Sequence, residues 1–207
     1  MRTDSSARLA IHDLALSRGG RQLFAGLTLE LGNGELALVT GANGTGKTTL
    51  LRAVAGLGEP TAGHITLDGV PTRRVATGLT APIAFQGHAD GLKRDLTVAE
   101  NLQFYRTVWG GEALPAIVAA ELGLDACFDR PVRFLSAGQR RRTALGCLRM
   151  RPAPLWLLDE PLTNLDVRGA ELVERWIADH VARGGMSVVA THRPEALARL
   201  AALVVEL

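Results

Sequence analysis

Apolar and polar side chains alternate along the first thirty residues, with Leu9 and Ile11, Leu14 and Leu16, then Leu27, Leu29 and Leu31 on the apolar positions. A period of two belongs to strands with one buried face, and its break at Gly19-Gly20 predicts antiparallel pairing across a tight turn. The pattern then changes. An apolar run at 36–39, a glycine-rich turn and the helix-prone stretch TTLLRAVAGL, which ends near Gly56 and Gly58, predict strand, loop and helix. HITLDGV (64–70) and PIAFQ (82–86) read as further strands. Thr97 and Glu100 in LTVAENLQFY have capping-box spacing, so a helix starts there. From 97 to about 150 the signals are helical with no good strand, which predicts an inserted helical sub-domain. LWLLD (155–159) and SVVAT (187–191) are short buried strands, each followed by a helical pattern, as in a parallel sheet. The expected architecture is α/β: a mixed β-sheet core, an N-terminal antiparallel part and the helical insertion, in a single domain over 1–207.

Composition narrows the class. A chain of 207 residues corresponds to roughly one domain, large enough to bury about 70% of its unfolded surface without disulfides or a structural metal. Hydrophobic residues at 47% and charged residues at 21% exclude a disordered chain and a coiled coil. Twenty-three Lys plus Arg against 21 Asp plus Glu give +2 and no long basic tract, so nucleic acid is not an expected partner. The one dense cluster, Arg140, Arg141 and Arg142, reads on its own as a solvated helix face as readily as anything functional. Only two of the basic residues are lysines, Lys47 and Lys93. Cys127 and Cys147 lack any metal or redox spacing and read as reduced, partly buried thiols of a cytosolic protein. Asp4, His12 and Asp13 interrupt the N-terminus, and nowhere do ~18 apolar residues run together, so a membrane role is expected to come through a partner.

Three segments carry chemistry. GANGTGKT (41–48) has the G-x-x-x-x-G-K-[ST] spacing of a phosphate loop, between a strand and a helix. Gly41, Gly44 and Gly46 free the backbone so that N–H groups of the loop, with Ala42, Asn43 and Thr45, can point at phosphate oxygens. Lys47 is expected to reach the β and γ phosphates of a bound nucleotide and Thr48 to ligate Mg²⁺. Asp159 and Glu160 follow an apolar strand, at the sheet edge where open α/β folds bind ligands. Asp159 suits Mg²⁺ or its water shell, and Glu160 suits an attacking water, the catalytic role. LSAGQRRR (135–142) has capping-box spacing between Ser136 and Gln139, yet a mere helix start does not explain Gly138, which costs about 1 kcal/mol against alanine in a first turn. Close approach of backbone N–H groups to an anion would.

Together, LSAGQ about twenty residues before LLDE and a phosphate loop upstream resemble the motifs of ATP-binding cassette (ABC) ATPases, across essentially the whole chain. The resemblance implies a phosphate-loop NTPase that hydrolyses ATP between two copies of itself, with the loop acting in cis and Ser136, Gly138 and Gln139 contacting the γ-phosphate in trans. It implies a D-loop ending at Asp166 and a switch histidine at His192 that touches the γ-phosphate, and, for the bacterial transporter members, an integral membrane subunit that keeps the chain at the cytoplasmic face of the inner membrane. A narrower resemblance, carried by GHADGLKRDLTVAENLQFY (87–105) with LSAGQRRR, is to the ATP-binding subunits of haem exporters in bacterial cytochrome c maturation. Trp109 and Phe104 are expected either to receive a short helix of the membrane subunit or to be core. An ATPase subunit for lipid, peptide or drug transport would share every motif. Soluble non-transport ABC ATPases usually carry two cassettes or a long coiled-coil insertion, and 207 residues hold neither.

Two positions depart from the family pattern. Where members carry an aromatic residue to stack on adenine, this chain has Ser17-Arg18, and Arg18 can stack its planar guanidinium instead. Where they carry the Q-loop glutamine, this chain has His88, with Gln86 two residues earlier. A histidine there would make the step sensitive to pH.

Overall fold

The computed structural model describes residues 8–75 and 82–207, so the first residues of the N-terminal segment considered for targeting lie outside it. The early alternation is realised in β1 (Arg8–Arg18) and β2 (Arg21–Gly32), antiparallel, with Arg18 opposite Arg21. Gly19 and Gly20 make the turn at φ 59° and 79°, as a two-residue hairpin loop requires. Asp13, at φ 46°, sits in a bulge that absorbs the irregular step from Ile11 to Leu14 and keeps Leu9, Ile11, Leu14 and Leu16 on one buried face.

The strand expected over 64–70 is instead a hairpin. β4 (Ala62–Leu67) pairs with β1, the chain turns at Asp68 and Gly69 with φ 54° and 75°, and β5 (Val70–Pro71) pairs back on β4. The sheet order is β2-β1-β4-β5. The dipeptide Asp-Gly is the turn signal that outweighs the apolar run.

Parallel pairing is confined to a second sheet. Its strands are β3 (Leu36–Thr40), β6 (Ile83–Gln86), β7 (Leu155–Asp159), β8 (Met186–Ala190) and β9 (Leu203–Glu206), in the order β6-β7-β8-β3-β9. The expected fold class holds, with antiparallel and parallel pairing separated into two sheets. β9 departs from the helical pattern expected after residue 191: the chain makes two short 3₁₀ turns at Pro194–Ala196 and Ala198–Leu200, then pairs along β3 as an edge strand.

Successive residues of the central strands enter different cores, which is why these strands are apolar throughout. Leu155 and Leu157 join the core toward the antiparallel sheet and α1 (Lys47–Val54), whereas Trp156 and Leu158 join the core on the opposite side. After α2 (Thr72–Val75) and β6, that second core holds α3 (Val98–Trp109), α4 (Pro115–Glu121) and α5 (Ala137–Arg149), followed beyond β7 by α6 (Val167–Ala182). The capping box at Thr97 and Glu100 forms with both hydrogen bonds. Gly146 in α5 lets three side chains of this core pack closely: an added Cβ would lie 2.9 Å from Leu102, 3.0 Å from Leu122 and 3.3 Å from Val118.

Candidate active site

Four strands of the parallel sheet end level with one another. Ala190 is in register with Asp159 on one side and Val39 on the other, and Gln86 is in register with Leu158. The residues just beyond these ends, 41–48, 87–88, 160 and 191–192, therefore converge at one carboxyl edge, where open α/β sheets bind ligands. A cleft of about 220 Å³ opens there, lined by Gly44, Lys47, Thr48, Asp159, Glu160, His88 and others.

The phosphate loop closes the cleft from below. Gly41, Gly44 and Gly46 have φ of 133°, 87° and 118°, all in the region that favours glycine. A Cβ on Gly41 would collide with the carbonyl of Leu207, the residue that follows β9, so the loop packs directly on the end of that strand. Gly46 caps α1, whose first-turn N–H groups and about half a positive charge face the cleft. Lys47 is 7% exposed, and its Nζ donates to the carbonyls of Gly41 (2.7 Å) and Ala42 (3.0 Å). The Thr45 hydroxyl donates to Ala42 (3.1 Å), while Asn43 lines the cleft.

Opposite the loop, the Thr48 hydroxyl donates to Asp159 Oδ2 at 2.7 Å, and Asp159 is 3% exposed. Glu160 is held from two sides. Its N–H donates to the Ala190 carbonyl (2.9 Å), and its Oε2 accepts from His192 Nδ1 (2.8 Å) and more weakly from the His192 N–H (3.4 Å). Its φ of 49° is unusual for a residue with a Cβ and persists only where the surroundings over-determine it. His192 is thus brought to the cleft through Glu160. Among the described residues no group of three or more potential ligands forms a separate metal centre.

The structure divides the His88 and Gln86 pair. His88 is exposed and lines the phosphate cleft. Gln86 is still in β6, buried, and its amide donates to the carbonyls of Gly87 (3.3 Å) and Ala89 (3.4 Å), so it shapes the turn and stays out of the phosphate cleft. Arg18 lines the cleft together with Leu23.

Ser136, Gly138 and Gln139 lie elsewhere. Ser136 and Gln139 complete a capping box at the start of α5, and none of the three lines the phosphate cleft of the same chain. Gly138 also has a use within the chain: an added Cβ would lie 3.2 Å from the Asn164 carbonyl, so its bareness lets the loop before Asp166 approach. The Asp166 carboxylate caps α6 by accepting from the Gly169 N–H (2.8 Å). Phe104 is 37% exposed with Lys93 Nζ 4.4 Å from its ring centre, and Trp109 is half-buried, stacked on Tyr105 at 4.5 Å.

Residues 24–163 match the family described as ABC transporter. The chain belongs to the ATP-binding subunits of that family. It is 49% identical to the cytochrome c biogenesis ATP-binding export protein CcmA of Bradyrhizobium diazoefficiens over 84% of this chain and 86% of that protein. It is 46% identical to the protein of that name from Rhodopseudomonas palustris, covering 87% of this chain and 90% of the relative. In Xanthomonas axonopodis pv. citri the identity is 47%, over 89% and 86%. A solved ATP-binding subunit of an ABC transporter superposes with a TM-score of 0.84 at 22% identity, over 96% of this chain and 85% of that one. An ABC transporter ATP-binding protein from Pyrococcus furiosus gives 0.76 at 24%, over 89% and 90%. At those identities the two structures speak for the fold alone.

As an ABC ATP-binding subunit the chain binds nucleotide and is an ATPase coupled to transport. One residue of its site escaped the sequence reasoning. The three arginines after the LSAGQ segment form no solvated face: Arg140 donates to the Leu135 carbonyl (2.7 Å), Arg142 to the Leu122 carbonyl (3.1 Å), and Arg141 is buried. The Arg141 guanidinium donates to the carbonyls of Asp159 (3.0 Å), Glu160 (2.8 Å) and Gly87 (3.2 Å). Burial pulls its pKa below the ordinary arginine value, against the opposing pull of Asp159, Glu160 and Asp90. The density of arginines is the signal available in the sequence, and it leaves a solvated face and a functional role equally open.

Proposed function

We propose that this chain is the ATP-hydrolysing, energy-coupling subunit of the export complex that serves haem delivery in bacterial cytochrome c biogenesis. Sequence identity of 46–49% over nearly the full length of proteins named for that process carries the assignment. The chain works as two copies at the cytoplasmic face of the inner membrane, joined to an integral membrane subunit. No helix among the described residues is long and apolar enough to cross a membrane, which fits a peripheral subunit.

The geometry supports this sequence of steps. ATP enters the cleft with its phosphates on the loop from Gly41 to Thr48, and Lys47 exchanges its loop carbonyls for the β and γ phosphates. The Thr48 hydroxyl and the Asp159 carboxylate, 2.7 Å apart, are hard oxygen donors that suit Mg²⁺. When bound, that ion neutralises charge developing between the phosphates. Glu160 accepts a proton from, and orients, the attacking water, and His192 fixes the carboxylate that does so. Ser136, Gly138 and Gln139 of the second copy cover the γ-phosphate. Asp166 holds the helix start beside them. His88 takes the Q-loop position.

Glu160→Gln tests the reading. The variant is expected to bind ATP, accumulate as a closed dimer and hydrolyse slowly, measured by gel filtration and phosphate release; a monomeric, fully active variant overturns it. A strain deleted for the gene is expected to lose haem-stained c-type cytochromes and to regain them with the wild-type chain but not with Glu160→Gln. Intact cytochromes in the deletion strain would remove the cargo assignment and leave the ATPase.

A further inference from the structure

Arg141 lies in the first half of α5, five residues beyond the Ser136 cap. Its side chain crosses from that helix to two other segments: the carboxyl end of β7, through the carbonyls of Asp159 and Glu160, and the turn before His88, through the carbonyl of Gly87. The three acceptors belong to two segments far apart in the sequence, and a planar guanidinium with several N–H groups can serve both at once. The charge is 9% exposed and meets only carbonyls at hydrogen-bond distance, with the Asp159, Glu160 and Asp90 carboxylates nearby.

Burying a cation against carbonyls is costly compared with an apolar side chain of the same volume, so packing alone does not account for it. What it does hold is the backbone of Glu160. That residue sits at φ 49° and is fixed by four partners: its N–H donates to Ala190, its carbonyl accepts from Arg141 and from the Thr163 N–H (3.2 Å), and its carboxylate accepts from His192. Arg141 is the one of these partners that also holds the His88 turn.

We infer that Arg141 is a positioning residue for ATP hydrolysis: its guanidinium fixes the Glu160 backbone and ties it to the turn carrying His88 and to the helix that begins at Ser136. Movement of α5 or of the His88 turn is thereby passed to the carboxylate that orients the attacking water. The inference rests on the role given to Glu160 above.

Steady-state ATP hydrolysis by the purified full chain, in a double-mutant cycle between Arg141→Met and Glu160→Gln, tests it. Arg141→Met keeps the length of the side chain and removes every donor. It is expected to lower kcat by about 100-fold, the effect of a catalytic group misplaced by about 1 Å, with KM for ATP unchanged. Arg141→Lys, which keeps a charge but not the fork, is expected to fall between. In the Glu160→Gln background Arg141→Met is expected to reduce the residual rate no further, because both changes disable one unit. Multiplicative losses, a loss confined to KM, or an unchanged kcat would each overturn the inference, and so would loss of the melting transition in both Arg141 variants, which would make the residue one of stability. If Glu160→Gln itself hydrolyses ATP at the wild-type rate, the fault lies with the functional reading of Glu160, and the cycle separates the two failures.

Discussion

Replacing His192 probes the role proposed for Glu160 without touching the cleft lining. Its Nδ1 donates to Glu160 Oε2 at 2.8 Å, whereas its backbone N–H reaches the same oxygen only at 3.4 Å. Removing the ring therefore leaves the carboxylate one weak donor and a free rotamer. A hydrogen bond to a charged group contributes about 1.5–3 kcal/mol. The ring is 53% exposed, which favours the lower end, about 1.5 kcal/mol. That corresponds to roughly a tenfold loss of rate, and to about 100-fold if the carboxylate drifts by about 1 Å. His192→Ala is thus expected to lower kcat by about 10- to 100-fold with KM for ATP unchanged, because His192 is not among the residues that line the cleft. His192→Gln, which restores a donor of similar reach, is expected to recover part of the loss. Phosphate release at saturating and limiting ATP separates the two constants. An unchanged kcat in His192→Ala, or a loss that appears in KM alone, refutes the view that the ring acts by holding Glu160.

Other substitutions test other links. Gly146→Val places branched carbons against Leu102, Leu122 and Val118 and is expected to cost about 1–3 kcal/mol, seen calorimetrically as a Tm lower by about 3–10 °C, with ATP affinity at 25 °C retained. Arg18→Ala is expected to weaken ATP binding two- to fivefold, from a stacking contribution of about 0.5–1 kcal/mol, and to leave kcat alone; isothermal titration with ATP and GTP also reads any change in base preference. His180, stacked on Trp156 at 4.1 Å, has its pKa pushed below the ordinary histidine value by burial first, with Arg149 and Arg183 acting in the same direction. The unfolded chain then takes up the proton first as pH falls below ~6.5, so stability present above that pH is lost on acidification, with a slope below the one-proton ceiling of about 1.4 kcal/mol per unit because the ring is part exposed. His180→Phe is expected to flatten the pH dependence of Tm below pH ~6.5, and an unchanged slope would count against the assignment.

How much was legible in the sequence depended on whether a feature is local. The phosphate loop, the Thr97 cap and the strand over Leu155–Asp159 are short contiguous segments whose chemistry is written in adjacent side chains, and each stands where the pattern put it. The Asp68-Gly69 hairpin is local too, but the apolar residues on both sides of it carry the pattern of one strand. β9 was illegible for another reason: it is an edge strand with half-buried residues behind an alanine-rich stretch, and only pairing with β3 selects strand over helix. His88 and Gln86 could not be separated by composition, since the difference between them is that Gln86 is still in register with Leu158 in the sheet and His88 is past its end.

The two basic residues at the centre of the site show how far side-chain identity follows from acceptor geometry. Lys47 is one of only two lysines among 23 basic residues, and its acceptors, the carbonyls of Gly41 and Ala42, converge on a single nitrogen at 2.7 and 3.0 Å. A compact ammonium on a flexible stem suits oxygens that all converge on one point, whether loop carbonyls or phosphates. Arg141 meets the opposite problem, because its acceptors diverge across two segments 54 and 18–19 residues away. The lysine was recognisable because its partners are adjacent in sequence and form a motif. The arginine was not, because backbone carbonyls are the same for every residue type and leave no mark on the sequence that holds them. Exchanging the two side chains, Lys47→Arg or Arg141→Lys, should therefore fail at both positions for opposite geometric reasons: the first in nucleotide binding, the second in kcat.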